Sequence, residues 1–452
     1  VLMSSKLKKS ISAILCICLL FSVSVCAFAA NNVPSSDEWL AQKEDIFKPD
    51  GKISLTPGEK DGDINFSWVT VGTNIASERF VYGVDPELSE PLEAEVTPLT
   101  TSSFVYTANR VSLKGLDSGT YYYNYTYKGE WQGVSSFRIA DASDGFSVML
   151  CSDPQLGRSG SDSDEAVLDD AYGWDRTLKA AMKNCPDMSF ILCAGDEVNM
   201  ALSKKQYNAL LYPEVLRSIP VAAAVGNHDF YSSLYDLHYN NPNKSDKDLA
   251  SPGGNGYYFT YGNALFIVLN SNNYIVEDQR AIINTAVNSA PNAKWRVVMM
   301  HESLYFSGMK EKHQNKVDFF TPLFDEYNID LVVSGHEHVY SRTAPMTADA
   351  PAENGVTYLA VSTASGCNFD SYDRCDSRVV KCENLSEPSY SVLDFGEDEI
   401  KVKSYYTDKD EIFDEFTVTR VEKSDNTEDF VFADWFGRLI KTILAAIALL
   451  FK

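Results

Sequence analysis

The residues best suited to metal chemistry come in five short motifs, each at the end of a predicted strand. In chain order the motifs are Ser152-Asp153-Pro154-Gln155, Gly195-Asp196-Glu197, Gly226-Asn227-His228-Asp229, Met300-His301-Glu302 and Gly335-His336-Glu337-His338. The chain has six histidines, and four of them lie in these motifs. A set of carboxylate, amide and imidazole groups is typical of sites that bind divalent transition metals. The motifs therefore predict a metal centre.

Apolar runs of strand length precede these motifs and alternate with stretches of helical periodicity. Strands are predicted at 146–151, 188–193, 219–224, 264–269, 295–300 and 329–333. Helical spacing is clearest at Leu168, Ala171, Trp174, Leu178 and Ala181. This alternation predicts an α/β domain with a substantially parallel sheet. Open sheets of this class place ligands at the carboxyl ends of their strands, which is where the motifs fall.

An earlier segment, residues 48–141, has a different pattern. Ile64, Phe66 and Trp68 alternate with polar residues, and further β-rich runs follow between short glycine, aspartate and proline turns. This period of two predicts an all-β sandwich. The segment holds no ionisable cluster suited to chemistry, so we interpret it as a structural or positioning module. Asp141 to Gly145 predicts the linker to the second domain.

Both ends of the chain carry apolar segments. Lysines precede the apolar stretch Ile11 to Val25, and Ala27-Phe28-Ala29 supplies a cleavage pattern. Residues 1–29 therefore predict a signal peptide and a secreted or extracellular protein, with a lipid anchor at Cys26 as the alternative. Residues 430–452 hold two cations inside an apolar run. This favours a helix at a membrane interface, or one packed on a partner or on its own domain, over a membrane span.

Composition and cysteine content limit the partners and the cross-links. With a formal net charge of −24, the protein lacks the broad basic surface that binding of long nucleic acids requires. Six cysteines follow the predicted signal peptide, and a disulfide is predicted within the set Cys367, Cys375 and Cys382. Cys151 and Cys193 fit buried free thiols or a bridge equally well. His238 and His313 lie outside the motifs, and we interpret them as surface residues.

The order D, GD, GNHD, H and GHxH resembles the calcineurin-like metallophosphoesterase superfamily. Two further stretches are similar to its purple acid phosphatase branch. They are Val111-Ser112-Leu113-Lys114-Gly115-Leu116 running into Thr120-Tyr121-Tyr122-Tyr123, and His336-Glu337-His338-Val339-Tyr340-Ser341-Arg342. The resemblance covers roughly residues 50–410. It implies a fibronectin-III-like sandwich followed, over 146–410, by an α/β metallophosphoesterase domain in a four-layer α/β/β/α sandwich.

The resemblance also implies two sets of metal ligands that share one carboxylate. The first set is Asp153, Asp196 and His338, and the second is Asp196, Asn227, His301 and His336. His228 would stabilise the transferring phosphoryl group or protonate the leaving oxygen, and Asp229 would orient His228 through a hydrogen bond. The implied activity is hydrolysis of a small phosphorylated substrate, a monoester by resemblance. The alternatives are a phosphodiester or nucleotide substrate, and a non-catalytic envelope protein on a degenerate fold.

This chain departs from the family at two positions of the first ligand set. Asn199 stands where purple acid phosphatases have the tyrosine that binds ferric iron, so no purple chromophore is expected. Gln155 stands where other branches have a histidine. Gln155, Asn199 or water could complete the first set. The mixed ligands suit two divalent or mixed-valence ions of Fe, Mn or Zn, among which affinity order alone does not choose.

Overall fold

The computed structural model describes seven stretches of the chain. They are residues 36–49, 51–72, 78–100, 106–246, 251–305, 310–372 and 375–420, without the side chains of 310–313. The predicted signal peptide 1–29 and the apolar segment 430–452 lie outside them. Within these stretches, no helix combines the length and the apolar character needed to cross a membrane.

The front of the chain folds into antiparallel strands. They are β1 (Ile53–Pro57), β2 (Ile64–Val71), β3 (Phe80–Gly83), β4 (Leu92–Ala94), β5 (Thr97–Thr100), β6 (Tyr106–Leu113), β7 (Gly119–Tyr127), β8 (Glu130–Trp131) and β9 (Ser135–Ile139). One sheet has the order β1-β2-β6-β5 and the other β4-β3-β7-β8, with β9 paired to β7. Both sheets contribute to one apolar core. The predicted β-sandwich is confirmed, while its fibronectin-III-like character and the boundaries 48–141 and 146–410 stay predictions.

Aromatic side chains fill the core between these two sheets. Phe66 of β2 packs against Phe80 of β3 and Tyr123 of β7, with ring centroids 4.7 and 5.1 Å apart. Trp68 and Phe137 are buried in the same cluster. Alternation along β2 sends Ile64, Phe66 and Trp68 to one face, as the period-two pattern predicts.

The second domain contains the remaining strands and most of the helices. Its strands are β10 (Phe146–Cys151), β11 (Phe190–Cys193), β12 (Val221–Ala223), β13 (Tyr257–Tyr261), β14 (Ala264–Val268), β15 (Trp295–Met299), β16 (Leu331–Ser334), β17 (Tyr340–Thr343), β18 (Met346–Thr347), β19 (Ala350–Pro351), β20 (Thr357–Ala360), β21 (Val379–Glu383), β22 (Ser389–Phe395), β23 (Glu399–Tyr406) and β24 (Ile412–Thr419). The described helices are α1 (Ser36–Leu40), α2 (Lys43–Phe47), α3 (Asp164–Asn184), α4 (Lys204–Leu210), α5 (Leu234–His238), α6 (Val276–Ser289) and α7 (Lys310–Glu326).

These elements form four layers. One sheet has the order β12-β11-β10-β22-β23-β24 and the other β13-β14-β15-β16-β20-β17-β21. Their facing sides share an apolar core. Helices α3 and α4 cover the first sheet, and α6 and α7 cover the second. The predicted α/β/β/α arrangement is confirmed. Within each sheet, the strands that precede the motifs are parallel to one another, whereas β13, β17 and β21 to β24 pair antiparallel.

The sandwich contacts the segment that directly follows the third motif. The Ser67 hydroxyl of β2 donates to the Leu237 carbonyl at 2.7 Å, and the Asn65 amide donates to the Asn240 carbonyl at 2.9 Å. Arg110 of β6 pairs with Asp236 at 3.3 Å. The polar face of β2 is therefore buried against α5 rather than exposed to solvent.

One disulfide is present among the described cysteines. Cys375 and Cys382 are bonded, within the predicted set. Cys367, Cys151 and Cys193 are buried free thiols, and Cys151 and Cys193 are register partners on β10 and β11. The free-thiol alternative therefore holds for the last two.

His238 is buried, so its interpretation as a surface residue was wrong; the side chain of His313 lies outside the described set. The His238 ring stacks on Tyr207 with centroids 4.3 Å apart, and its Nδ1 lies 2.6 Å from the Leu234 carbonyl oxygen. Its Nε2 lies 3.0 Å from Nζ of Lys204. Because an ammonium group can only donate, the ring is neutral and carries its hydrogen on Nδ1. Burial, and then the Lys204 charge, hold the pKa of His238 well below its ordinary 6.5.

We expect His238 to make the protein sensitive to acid. Since its pKa is lower in the folded than in the unfolded chain, the unfolded state binds the extra proton. The stability that the neutral ring contributes is present above about pH 6.5 and is lost as the pH falls below it, by up to about 1.4 kcal/mol per pH unit. Melting curves should show Tm falling more steeply with acid for wild type than for His238→Gln, which does not titrate. Equal slopes would contradict this.

Candidate metal centre

The five motifs meet where the carboxyl ends of the two sheets of the second domain adjoin. Asp153, Asp196 and His228 follow β10, β11 and β12 of the first sheet. His301 and His336 follow β15 and β16 of the second sheet. The centre thus lies at the carboxyl ends of parallel strands, as predicted.

The backbone at the centre is strained at several predicted ligands. The φ angle is +50° at Asp153, +53° at Asp196, +74° at His336 and +48° at His338, and +37° at Gln155. Non-glycine residues rarely adopt this left-handed region, and such conformations cluster at functional sites. Here they turn side chains out of the strand ends and toward one another.

The glycines of the motifs are required by close approach. A Cβ atom on Gly226 would lie 2.0 Å from Oδ1 of Asp196. A Cβ atom on Gly335 would lie 2.4 Å from Oδ2 of Asp153 and closer still to the Ser152 hydroxyl. Neither position could carry a side chain without displacing a candidate ligand.

The second predicted ligand set converges on one point. Nε2 of His301 lies 3.1 Å from Oδ1 of Asn227, 3.1 Å from Nδ1 of His336 and 3.3 Å from Oδ2 of Asp196. Nδ1 of His301 lies 2.9 Å from the Ala194 carbonyl oxygen, which can only accept, so Nε2 is the nitrogen that presents a lone pair when the ring is neutral. Acceptor atoms this close need a proton or a cation among them. Ligands of one metal ion lie about 3 to 3.5 Å apart, so these residues fit a metal.

The first predicted set is less complete. Oδ1 of Asp153 is buried without a hydrogen-bond donor among the described residues and lies 3.3 Å from Nε2 of His338. Nδ1 of His338 lies 3.0 Å from the Asn368 carbonyl oxygen, so Nε2 is again the nitrogen that presents a lone pair when the ring is neutral. The other Asp153 oxygen accepts the backbone N–H of His336 at 2.9 Å. An orphaned carboxylate oxygen beside an imidazole lone pair also fits a cation.

Gln155 and Asn199 take different positions beside this set. The Gln155 amide donates to Oδ2 of Asp196 at 3.2 Å, which places it at the centre. The Asn199 amide donates to Oδ1 of Asp162 at 2.9 Å, while its own Oδ1 is buried without a donor. Ligation by either residue stays a prediction.

Charge at the centre favours ionised carboxylates. Burial would raise the pKa of Asp196 and Asp153, but the His301 and His338 imidazoles outweigh it and hold both below the ordinary 3.8. Burial likewise opposes charge on His301, yet the two carboxylates raise the pKa of His301 to about 10. A metal ion entering the second set must therefore displace a proton.

His228 lies beside the ligands, and its predicted hydrogen bond to Asp229 is not the one found. The His228 backbone N–H donates to Oδ1 of Asp196 at 2.9 Å, and ring Nδ1 lies 2.8 Å from the Asn199 carbonyl oxygen. Oδ2 of Asp229 instead accepts the backbone N–H of Gly226 at 3.0 Å. Asp229 thus fixes the turn that carries His228, and Asn199 orients the ring.

Residues 146–340 match the family described as calcineurin-like phosphoesterase, and this match spans all five motifs. The chain contains a calcineurin-like phosphoesterase domain. The motifs of that domain are thus assembled in one place, with most of their ligand atoms facing each other.

The fold of the phosphoesterase domain and its sandwich is shared with solved structures. The purple acid phosphatase PPD1 from yellow lupin (Lupinus luteus) seeds matches with a TM-score of 0.63 at 15% identity, covering 82% of this chain and 74% of that one. PhoD matches with a TM-score of 0.55 at 10% identity, covering 83% and 93%. At identities this low, the matches show a shared fold alone.

Curated relatives match only a part of this chain. Two uncharacterized proteins of Mycobacterium tuberculosis, from strains H37Rv and CDC 1551 / Oshkosh, are each 28% identical over 192 residues, which is 37% of this chain. The match spans 35% of the length of those relatives.

Two buried features of the phosphoesterase domain were missed by the sequence analysis. Glu197, beside Asp196, is fully buried next to Asp229; burial, and then the Asp229 charge, raise the pKa of Glu197 well above 4.5. Glu197 stands inside the second motif, and this position could have marked it as part of the centre.

The other feature is a pair on the far side of His336: Glu302 and Lys316 form an ion pair, and Oε2 of Glu302 lies 3.6 Å from Nε2 of His336. Since Nδ1 of His336 faces the ligand cluster, Nε2 carries the hydrogen and points to Glu302.

Glu302 should therefore strengthen metal binding by orienting His336. Outer partners of ligating histidines typically alter metal affinity by about 10- to 100-fold. We expect Glu302→Gln to weaken binding of one metal ion by about tenfold in calorimetric titration of metal-free protein. Glu326→Gln is the control, because Glu326, at the end of α7, pairs with Arg280 of α6, whereas Lys316 of the same helix α7 pairs with Glu302. Equal metal affinity in wild type and Glu302→Gln would contradict the role.

Proposed function

We propose that this chain is a secreted, metal-dependent phosphoesterase that hydrolyses phosphate monoesters with water. The observation that carries the proposal is the convergence of imidazole, amide and carboxylate acceptors around Nε2 of His301, beside an orphaned oxygen of Asp153. Such a cluster is expensive to bury without a cation. The match to the calcineurin-like phosphoesterase family supports phosphoester chemistry.

Two metal ions, of Fe, Mn or Zn, would be held by the two ligand sets, with Asp196 common to both. When bound they would act as Lewis acids, lowering the pKa of water and neutralising phosphate charge. Asp153 and His338 would complete the first set, and Gln155 lies close enough to Asp196 to join it. Asn227, His301 and His336 would complete the second.

The roles of the protein's own groups follow from their hydrogen bonds. Because Nδ1 of His228 donates to the Asn199 carbonyl, Nε2 is the nitrogen free to face a substrate. In its protonated form it would give that proton to the leaving oxygen, and in either form it would position the phosphoryl group. Cys367 is an unsuitable nucleophile, because burial raises the pKa of its thiol to about 12. Water is the nucleophile in this account.

Monoester specificity is supported by the motif resemblance and by the fold shared with a purple acid phosphatase. Secretion is supported by the pattern of residues 1–29, and contact of residues 430–452 with a membrane interface stays a prediction. No long nucleic acid is expected to bind, because the formal net charge is −24.

Parallel assays test the proposal. Purified full-length protein, supplied with Mn, Fe or Zn, should hydrolyse 4-nitrophenyl phosphate faster than bis(4-nitrophenyl) phosphate or ATP. A preference for the diester or the nucleotide would overturn monoester specificity. Metal binding without hydrolysis of any of the three would instead indicate a non-catalytic protein.

A further inference from the structure

Three loops are joined by hydrogen bonds around His228. The carbonyl of Asn199, in loop 196–203, accepts from the His228 ring at 2.8 Å. The side-chain amide of Asn272, in loop 270–275, donates to the carbonyls of Val225 and Gly226 at 3.3 Å each. The loop that carries His228 is thereby hydrogen-bonded to both of these loops.

These loops expose an unusual number of large apolar side chains. Among the described residues, thirteen such side chains are exposed, and five of them lie on these loops. We call the five the apolar rim: Met200, Leu202, Tyr231, Tyr274 and Ile275. Single exposed apolar residues are ordinary on protein surfaces, but the concentration of five on three hydrogen-bonded loops is not.

The two aromatic members of the rim are placed by their packing. The Tyr231 side chain is 75% exposed, three residues after His228, and its ring meets Phe230 edge-on at 5.4 Å. The Tyr274 ring lies 5.7 Å from that of Phe319. The same ring lies 6.3 Å from that of Phe320, so Tyr274 packs against α7.

We propose that the apolar rim binds the leaving group, so that the preferred substrates are phosphate esters of large aromatic or apolar alcohols. This inference rests on the proposed function, because His228 would serve the leaving oxygen. The rim lies on the loop that carries His228 and on the two loops hydrogen-bonded to it. Burial of the leaving group against the rim removes apolar surface from water in substrate and transition state alike. The rim therefore acts on kcat/KM, and chiefly through KM.

The test compares phenyl phosphate with 2-naphthyl phosphate, which have the same charge and similar leaving-group acidity but differ in apolar area. Wild type should favour the naphthyl ester by about tenfold in kcat/KM. The double variant Tyr231→Ala/Tyr274→Ala should bring that ratio close to one. Trp131→Ala is the control, an aromatic of similar exposure in the sandwich, and should keep the wild-type ratio. A wild-type ratio near one, or a ratio that survives in the double variant, overturns the inference.

A binding measurement separates failure of this inference from failure of the proposed function. The metal-loaded full chain is titrated calorimetrically with 2-naphthylphosphonate and with methylphosphonate, neither of which needs to be hydrolysed. Tighter binding of the naphthyl compound by wild type, lost in the double variant, supports the rim even where no ester is cleaved. Equal binding of the two compounds overturns the rim whether or not esters are cleaved.

Discussion

Asp196→Asn should lower kcat/KM for 4-nitrophenyl phosphate by about a thousandfold or more. The loss corresponds to several kcal/mol of transition-state stabilisation, which is what a metal centre contributes. Asp196 accepts the backbone N–H of His228 and the amide of Gln155, and it lies 3.3 Å from Nε2 of His301. An asparagine keeps the shape but removes the charge that two cations would share. Metal content should therefore fall together with activity.

The matched control for this variant is Asp175→Asn. Asp175 is also a buried carboxylate, but it lies on α3 and pairs with Lys179 at 2.7 Å. Its replacement changes the charge of the protein equally and leaves the metal centre intact. Full activity of Asp196→Asn, or an equal loss in Asp175→Asn, would contradict the special role of Asp196.

His228→Ala should lower kcat by about 10²- to 10⁴-fold on alkyl phosphates, while metal content stays at the wild-type value. The ring donates a hydrogen bond from Nδ1 to the Asn199 carbonyl, and the backbone contact of His228 with Asp196 survives the substitution. A proton donor matters most when the leaving oxygen is strongly basic. The loss on 4-nitrophenyl phosphate, whose leaving group departs as an anion, should therefore be about tenfold or less.

The comparison of the two esters distinguishes the two roles that His228 could have. Equal losses on the alkyl and the nitrophenyl ester would contradict proton donation and leave charge stabilisation alone. Loss of metal from His228→Ala would contradict its placement outside the ligand sets.

Much of the phosphoesterase domain was predictable because its motifs are local. Each apolar strand directly precedes its motif in the sequence, as before Asp153, Asp196 and His301. The helical spacing from Leu168 to Ala181 likewise predicts α3. The required glycines stand inside the motifs as well. What each ligand faces, by contrast, depends on which loops adjoin.

The predictions that failed depended on tertiary contacts. The His228 ring binds a backbone carbonyl, at Asn199, and side-chain motifs say nothing about such a partner. His238 stands four residues after Leu234, which is the spacing of one helix face, and this signal for a buried face of α5 went unused. The alternation along β2 also says nothing about what its polar face contacts, which is the segment after the third motif, through Asn65 and Ser67. The two hydrogen bonds from Asn65 and Ser67 each join residues at least 170 positions apart.

The central claim is that one site holds two metal ions and that they are needed for hydrolysis. The most direct measurement is the molar ratio of metal to protein in the purified, buffer-exchanged full chain, determined by elemental analysis alongside turnover of 4-nitrophenyl phosphate. We predict two ions per chain in active wild type, and loss of both metal and turnover after chelation, with turnover restored by Mn, Fe or Zn. Protein free of metal that turns over the ester at the wild-type rate would contradict the account.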